Sequence, residues 1–168
     1  MNAIFKRRSV REFNGQMLDA EQIKLLLKAA MQAPSACNSQ PWDFLVINDK
    51  ELLEKISKTH PYSKFTKNAG CAIIVCAVPK RQEGISDGYF PQDCAAVTEN
   101  ILLQAVEMGL GGCWCGVYPK EERIKEMREL FNVPNEIIPF NVIAIGYAVK
   151  QEKIIERFDI SKIHTNKW

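Results

Sequence analysis

The order of apolar and polar positions along the chain predicts helices alternating with strands. Asp19 and Gln22 form a capping-box pair, and Ile23, Leu26, Leu27 and Ala30 then recur on one helical face until Pro34 ends the pattern. Phe44 to Ile47, Ala72 to Val78 and Val142 to Val149 are short, continuous apolar runs bounded by Pro, Asn, Gly or Lys, the pattern of strands covered on both faces. The stretch Asp93 to Met108 is apolar nearly all round, through Ala95, Ala96, Val97, Ile101, Leu102, Leu103 and Val106, with Gly109 as its stop. Lys120 to Phe131 reads as a further helix, entered after Pro119, carrying Ile124, Met127 and Phe131 on one face and ending before Pro134. No repeat, low-complexity tract or linker interrupts the series, so residues 1–168 read as a single domain, an α+β or α/β sandwich around one sheet. The all-round apolar helix and the irregular tail 151–168 exceed what one chain covers by itself. They predict an oligomer whose tail packs on a neighbour.

Composition narrows the partners. The 168 residues are 46% hydrophobic and 25% charged, enough for one well-buried core. Lys and Arg number 22 against 20 Asp and Glu, and a net charge of +2 provides no global field to recruit nucleic acid or an anionic membrane. No run reaches the roughly 18 to 20 apolar residues of a membrane span. The opening MNAIFKRRSVREF brings charge at Lys6 before any apolar stretch of signal-peptide length, so the expected location is the cytoplasm. Of the six cysteines, Cys71, Cys76, Cys94 and Cys113 lie in or beside apolar runs, which predicts reduced thiols acting as small hydrophobes.

Three stretches could carry chemistry. In RRSVR, Arg7, Arg8 and Arg11 can converge around the Ser9 hydroxyl if the segment is helical or turn-like, an arrangement suited to a phosphate monoester. The other reading is a solvated basic face. In PSACNSQPW, two prolines bracket Ser35, Asn38, Ser39 and Gln40 between a helix and a strand. Such a loop presents amide groups to a ligand edge, or satisfies its own backbone. GLGGCWCG has Trp114 where the last glycine of a dinucleotide fingerprint belongs, and its glycines follow a helix into a strand, so a Rossmann site is rejected. Its glycines instead allow backbone N–H groups close approach to a flat ligand, with Trp114 as wall or core. Cys113 and Cys115 share one face of a strand, but this pair without a second pair or a nearby His is poor zinc spacing, and no metal is expected. The two histidines, His60 and His164, lie in no catalytic motif. A chain with no evident catalytic side chains suits chemistry carried by a cofactor.

Taken in order, RRSVREF, PSACNSQPWDFLV, the long apolar helix into GLGGCWCG, IPFNVIAIGY and the ending RFDISKIHTNKW resemble the nitroreductase family across nearly the whole chain. The resemblance implies an α+β three-layer sandwich with a central mixed β-sheet. It further implies a homodimer exchanging C-terminal segments, with two FMN sites built from both subunits. Arg7, Arg8, Ser9 and Arg11 match the family's phosphate and ribityl contacts, and Pro34, Ser35 and Asn38 match the loop touching the flavin ring. Trp114, Cys115 and Gly116 match the stretch whose backbone donates toward the flavin N5 and O4. Arg157 matches a C-terminal basic residue that reaches the phosphate, with Lys153 and Lys162 as alternatives. Only residues 79–91 stand where larger members carry substrate-channel helices, leaving Tyr89 and Phe90 as a minimal lid or as ordinary loop packing. The implied activity is ping-pong electron transfer from NAD(P)H to a nitroaromatic, quinone or similar small organic acceptor. Rival readings are reductive dehalogenation, flavin destruction or enoate chemistry, and a flavin-binding sensor or store without turnover.

Overall fold

The computed structural model describes residues 3–150 and 153–168. Four strands, β1 (Trp42–Ile47), β2 (Cys71–Ala77), β3 (Gly111–Gly116) and β4 (Ile138–Gly146), form one sheet in the order β1-β2-β4-β3. Five helices surround them: α1 (Ala3–Lys6), α2 (Ala20–Ala30), α3 (Lys50–Thr59), α4 (Phe90–Glu107) and α5 (Glu121–Phe131).

Period-two alternation sorts the sheet's side chains into two cores. Cys71, Ile73, Val75 and Ala77 of β2, with Ile143 and Ile145 of β4, pack against Leu26 and Ala30 of α2 and Cys94, Val97 and Ile101 of α4. Ala72, Ile74 and Cys76, with Val142, Cys113 and Cys115, meet Leu53 and Ile56 of α3 and Ile124 and Met127 of α5. The result is the expected three-layer α+β sandwich.

The sheet is not mixed. All three strand pairs are antiparallel, and the one parallel pairing among the described residues is the isolated bridge between Ser9 and Gly112. The reason lies in the crossover: β2 and β3 run in the same direction and are joined through α4, but β4 inserts between them, so neither pairs with a parallel strand of the sheet.

Local signals placed most elements correctly. Asp19 caps α2, its side chain accepting from the Gln22 amide at 2.8 Å while Gln22 Oε1 accepts from the Asp19 amide at 3.1 Å. Gly109, at φ +73°, ends α4 in the left-handed conformation. The last strand stops at Gly146 rather than Val149 because residues 147–149 turn to the N-terminal segment, where Asn14 donates to the Tyr147 carbonyl and Val149 to that of Glu12. Helix α3 has no counterpart among the elements the sequence predicts; Asp49 caps it through the Leu52 amide, and only Leu53, Ile56 and Ser57 are buried on it.

Candidate functional site

An open cleft of about 560 Å³ lies at the free edge of β3, lined by Arg11, Pro61, Tyr62, Lys64, Phe65 and residues 113–116. Gly112 accepts from the Val10 amide at 3.0 Å on the outer side of β3. His60 and Arg123 reach the Gly116 carbonyl from that side as well. Alternation along the strand therefore turns the peptide edges of Gly112, Trp114 and Gly116 away from β4. Val10 closes the first; those of Trp114 and Gly116 lie along the cleft.

The glycines here do separate work. A Cβ at Gly111 would stand 2.5 Å from Val10 Cγ2 and one at Gly112 2.7 Å from Leu102 Cδ2, so these two residues are small to let the N-terminal segment and α4 approach β3. A Cβ at Gly116 would meet nothing within 4 Å, so no packing within the chain requires glycine there and the backbone stays open to the cleft. Close approach of a ligand to backbone thus falls to Gly116 alone among these three.

The RRSVR guanidinium groups do not converge. The α1 helix ends at Lys6, and residues 7–13 follow as a non-helical segment pinned by isolated bridges at Ser9 and Phe13, so the helical spacing that would bring the three groups together is absent. Arg7 pairs with Glu99 of α4 at 3.2 Å. Arg8 donates to the Lys153 carbonyl at 2.8 Å, to that of Ile155 at 3.3 Å and to those of Phe5 and Arg7, and it lines a second cleft with Lys6, Tyr147 and Ile154. Ser9 is exposed and its backbone bridges Gly112. Of the four, only Arg11 lines the cleft at the β3 edge.

Pro34, Ser35 and Asn38 lie outside this cleft. Their loop folds partly on itself, with Ser35 Oγ accepting from the Gln40 amide at 2.9 Å and Asn38 Oδ1 from Gln40 Nε2 at 3.2 Å. It also docks on the start of α4, where Ala36 donates to Asp93 at 3.2 Å. Arg157 is exposed on the C-terminal segment, as are Lys153 and Lys162, the last paired with Asp159 at 3.3 Å. Phe90 is half-buried, edge-on to Tyr118 at 5.4 Å and packed on the core, while Tyr89 stands exposed beside it at the entrance to α4; neither lines the β3 cleft within one chain.

Sequence reasoning missed Tyr62, Lys64, Phe65, His60 and Arg123. The signal available was HPYSKFTKN, aromatic residues interleaved with lysines in a connector. His60 is buried, with Nε2 2.9 Å from the Gly116 carbonyl and Nδ1 accepting from the Tyr62 amide at 3.3 Å, contacts that assign the proton to Nε2. Burial holds its pKa below the ordinary imidazole value, against the pull of the Gly116 hydrogen bond. Arg123 donates to the same carbonyl at 3.0 Å while its guanidinium lies 5.1 Å from the Tyr62 ring centre.

Cys113 and Cys115 are buried on the α3/α5 side of β3. The Cys113 thiol is drawn down to about 7, chiefly by a hydrogen bond from the Cys115 thiol and also by the Arg11 charge, which together outweigh burial. That same hydrogen bond and burial push Cys115 up. Among the described residues no group of three or more His, Cys, Asp or Glu is placed to hold a metal ion. No helix among them is long and apolar enough to cross a membrane.

The fold and cleft define a class of chain: a three-layer sandwich whose open sheet edge offers cations, aromatic walls and free backbone amides in one place. A sequence model of the nitroreductase family matches residues 4–147, and the chain belongs to that family of oxidoreductases. A relative from Archaeoglobus fulgidus, provisionally named NADH dehydrogenase/NAD(P)H nitroreductase, is 44% identical over 100% of this chain and 98% of its own. A crystal structure from Clostridium acetobutylicum, provisionally named NADH oxidase, superposes with a TM-score of 0.94 at 43% identity, covering 99% of this chain and all of that one. An FMN-dependent nitroreductase from Clostridium difficile superposes at 0.91 with 31% identity, covering 99% of each chain.

Proposed function

We propose that this chain is a single FMN-binding domain that works as a homodimer, passing electrons from NAD(P)H to a small organic acceptor such as a nitroaromatic or a quinone. The observation that carries the reading is the β3 edge, where Trp114 and Gly116 turn their amides toward a cleft that also holds Arg11 and Lys64. The donor set fits FMN. Two cations suit a phosphate monoester, and Tyr62, Phe65 and Trp114 offer flat apolar walls. The open space at Gly116 is a cradle that any side chain would fill. When bound, FMN supplies the two-electron chemistry that none of these side chains can perform.

The chain's own residues then have defined tasks. Arg11 and Lys64 hold the phosphate, while the Trp114 and Gly116 amides meet the polar edge of the ring, where preorganised donors stabilise developing negative charge. Pro34, Ser35 and Asn38 reach a ring only if they are brought to the cleft from a second copy, because within one chain their loop docks elsewhere. Homodimer symmetry supplies that second copy. The arm 153–168, with Arg157 or one of Lys153 and Lys162 approaching the phosphate, is the segment exchanged between copies. Donor and acceptor use the same open face in turn, which accounts for the lack of a separate nucleotide fingerprint and gives ping-pong kinetics.

The test is to titrate the purified protein anaerobically with NADH and with NADPH, then add nitroaromatics, quinones or free flavin. Bleaching of bound flavin followed by reoxidation supports the enzyme. Bound flavin that no nicotinamide bleaches leaves a binding module, and a protein that takes up no flavin overturns the reading.

A further inference from the structure

The loop after Ala33 is held in a conformation its own residues disfavour. Cys37, Asn38 and Gln40 have φ of 52°, 53° and 45°, left-handed values for three non-glycine residues within four positions. Asn tolerates this conformation; Cys and Gln do so rarely. Such backbone persists only where its surroundings over-determine it.

The surroundings here are unusually polar for a buried place. Asp93, 6% exposed in the first turn of α4, accepts from the Ala36 amide at 3.2 Å with one oxygen and from Gln82 Nε2 at 2.8 Å with the other. Gln82, 5% exposed, also donates to Ser39 Oγ at 3.4 Å and accepts from the Phe90 amide at 2.8 Å. From the other side Arg81 donates to the carbonyls of Trp42 at 2.8 Å and Gln40 at 3.4 Å, and to Asp43 at 2.8 Å. A buried carboxylate whose two oxygens are taken by uncharged donors contributes fixed geometry more than stability.

We infer that Asp93 and Gln82 are positioning residues for the strained 34–40 loop, and that the segment between β2 and α4 is a brace for that loop. The inference rests on the proposed role of the loop at the flavin ring and adds how the loop is preset before the flavin arrives. Preorganisation of this kind raises affinity by removing an ordering cost from binding. It also gives the short 79–91 segment a task other than covering substrate.

Asp93→Asn preserves shape but sets an amide against either the Ala36 N–H or the Gln82 amide, so one bond of the brace is lost. Two readouts in the full-length dimer decide the matter: hydrogen exchange of the loop amides from Ala36 to Gln40, and the FMN dissociation constant. Expected are faster loop exchange and FMN binding weaker by about ten-fold or more, the loss associated with one charge-assisted hydrogen bond. Adding Gln40→Gly to Asp93→Asn should restore much of the affinity, because glycine adopts positive φ without strain and needs less bracing. Unchanged exchange overturns the brace. Faster exchange with unchanged affinity, or a loss that Gln40→Gly does not recover, overturns the positioning role. A parent protein that binds no FMN removes the proposed function, and loop exchange still decides the brace.

Discussion

The centre of the sheet and the C-terminal arm treat their apolar residues in opposite ways. Ile73, Ile74, Ile143 and Ile145 are completely buried between two helical layers. In the segment 153–168, by contrast, Phe158 is 73% exposed, Ile160 69% and Trp168 fully so. Its backbone is held to the rest of the chain through Arg8, which bonds the carbonyls of Lys153 and Ile155. Apolar side chains left exposed at several positions of one segment suit a surface that another protein covers. The difference separates what one chain needs in order to fold from what the proposed dimer needs in order to work: the body closes its own core, and the arm is the segment that the proposal assigns to a second copy.

Deleting residues 153–168 should break this comparison most severely. The body should still unfold cooperatively, while the dimer is lost and FMN affinity falls by at least about a hundred-fold, since both the exchanged segment and the partner's loop leave the site. Sedimentation, flavin content and thermal melts check the three parts. A truncated protein that remains a flavin-loaded dimer would show the arm to be incidental. In the intact protein the interface should exceed the roughly 2,000 Å² typical of permanent complexes.

The opposite lesion is Ile143→Ala. A cavity at a fully buried β4 position flanked by α2 and α4 should lower stability by about 2–5 kcal/mol, read from denaturant midpoints. FMN bound per folded dimer should stay at the parent value, because the arm and the β3 edge are untouched. A smaller effect, confined to the site, is expected of Arg11→Ala. Removing the one guanidinium of its cluster that faces the cleft should weaken FMN binding about ten-fold, measured by flavin fluorescence after dialysis. Unchanged flavin content would take Arg11 out of the site and leave Lys64 as the cation of the cleft.

These expectations draw unequally on sequence and on structure, for physical reasons. The apolar faces of α2, α4 and α5 and the caps of α2 were legible because helix signals are local: Asp19 and Gln22 sit three residues apart and bond each other, whereas α4 begins at Phe90, three residues before the expected Asp93, with no side-chain cap to mark it. The strand cores of β2 and β4 were legible because both faces are buried. Helix α3 was not, since its charged positions outnumber its buried ones. The convergence of His60 and Arg123 on the Gly116 carbonyl was equally hidden, because it arises from tertiary packing of three separate elements. The RRSVR cluster shows the opposite error: its spacing favours convergence on a helix or turn, and the segment instead is pinned to β3 by the bridge of Ser9 to Gly112.

The smallest expected effect concerns Cys113 and Cys115, which lie on the strand whose outer edge faces the proposed flavin and invite a redox role. Their side chains face the α3/α5 core, while the proposed work at this edge is done by backbone amides, and a main-chain donor survives side-chain replacement. The double change to Ser should therefore leave flavin content and NAD(P)H oxidation within a few-fold of the parent. It should alter one further property. With the Cys113 pKa drawn from the ordinary 9.0 to about 7, the unfolded chain binds more protons than the folded one between those values. The thiolate thus contributes stability that grows as pH rises from about 7 toward 9 and is lost as pH falls through 7, while above 9 the Cys115 thiol, held protonated in the folded chain, works against it. Urea midpoints of the parent should rise across that window relative to those of the double variant. If the Ser variant kept its flavin but lost turnover, a dithiol relay would replace electron transfer through flavin alone. The β3 edge would then act through side chains on the face that now reads as core.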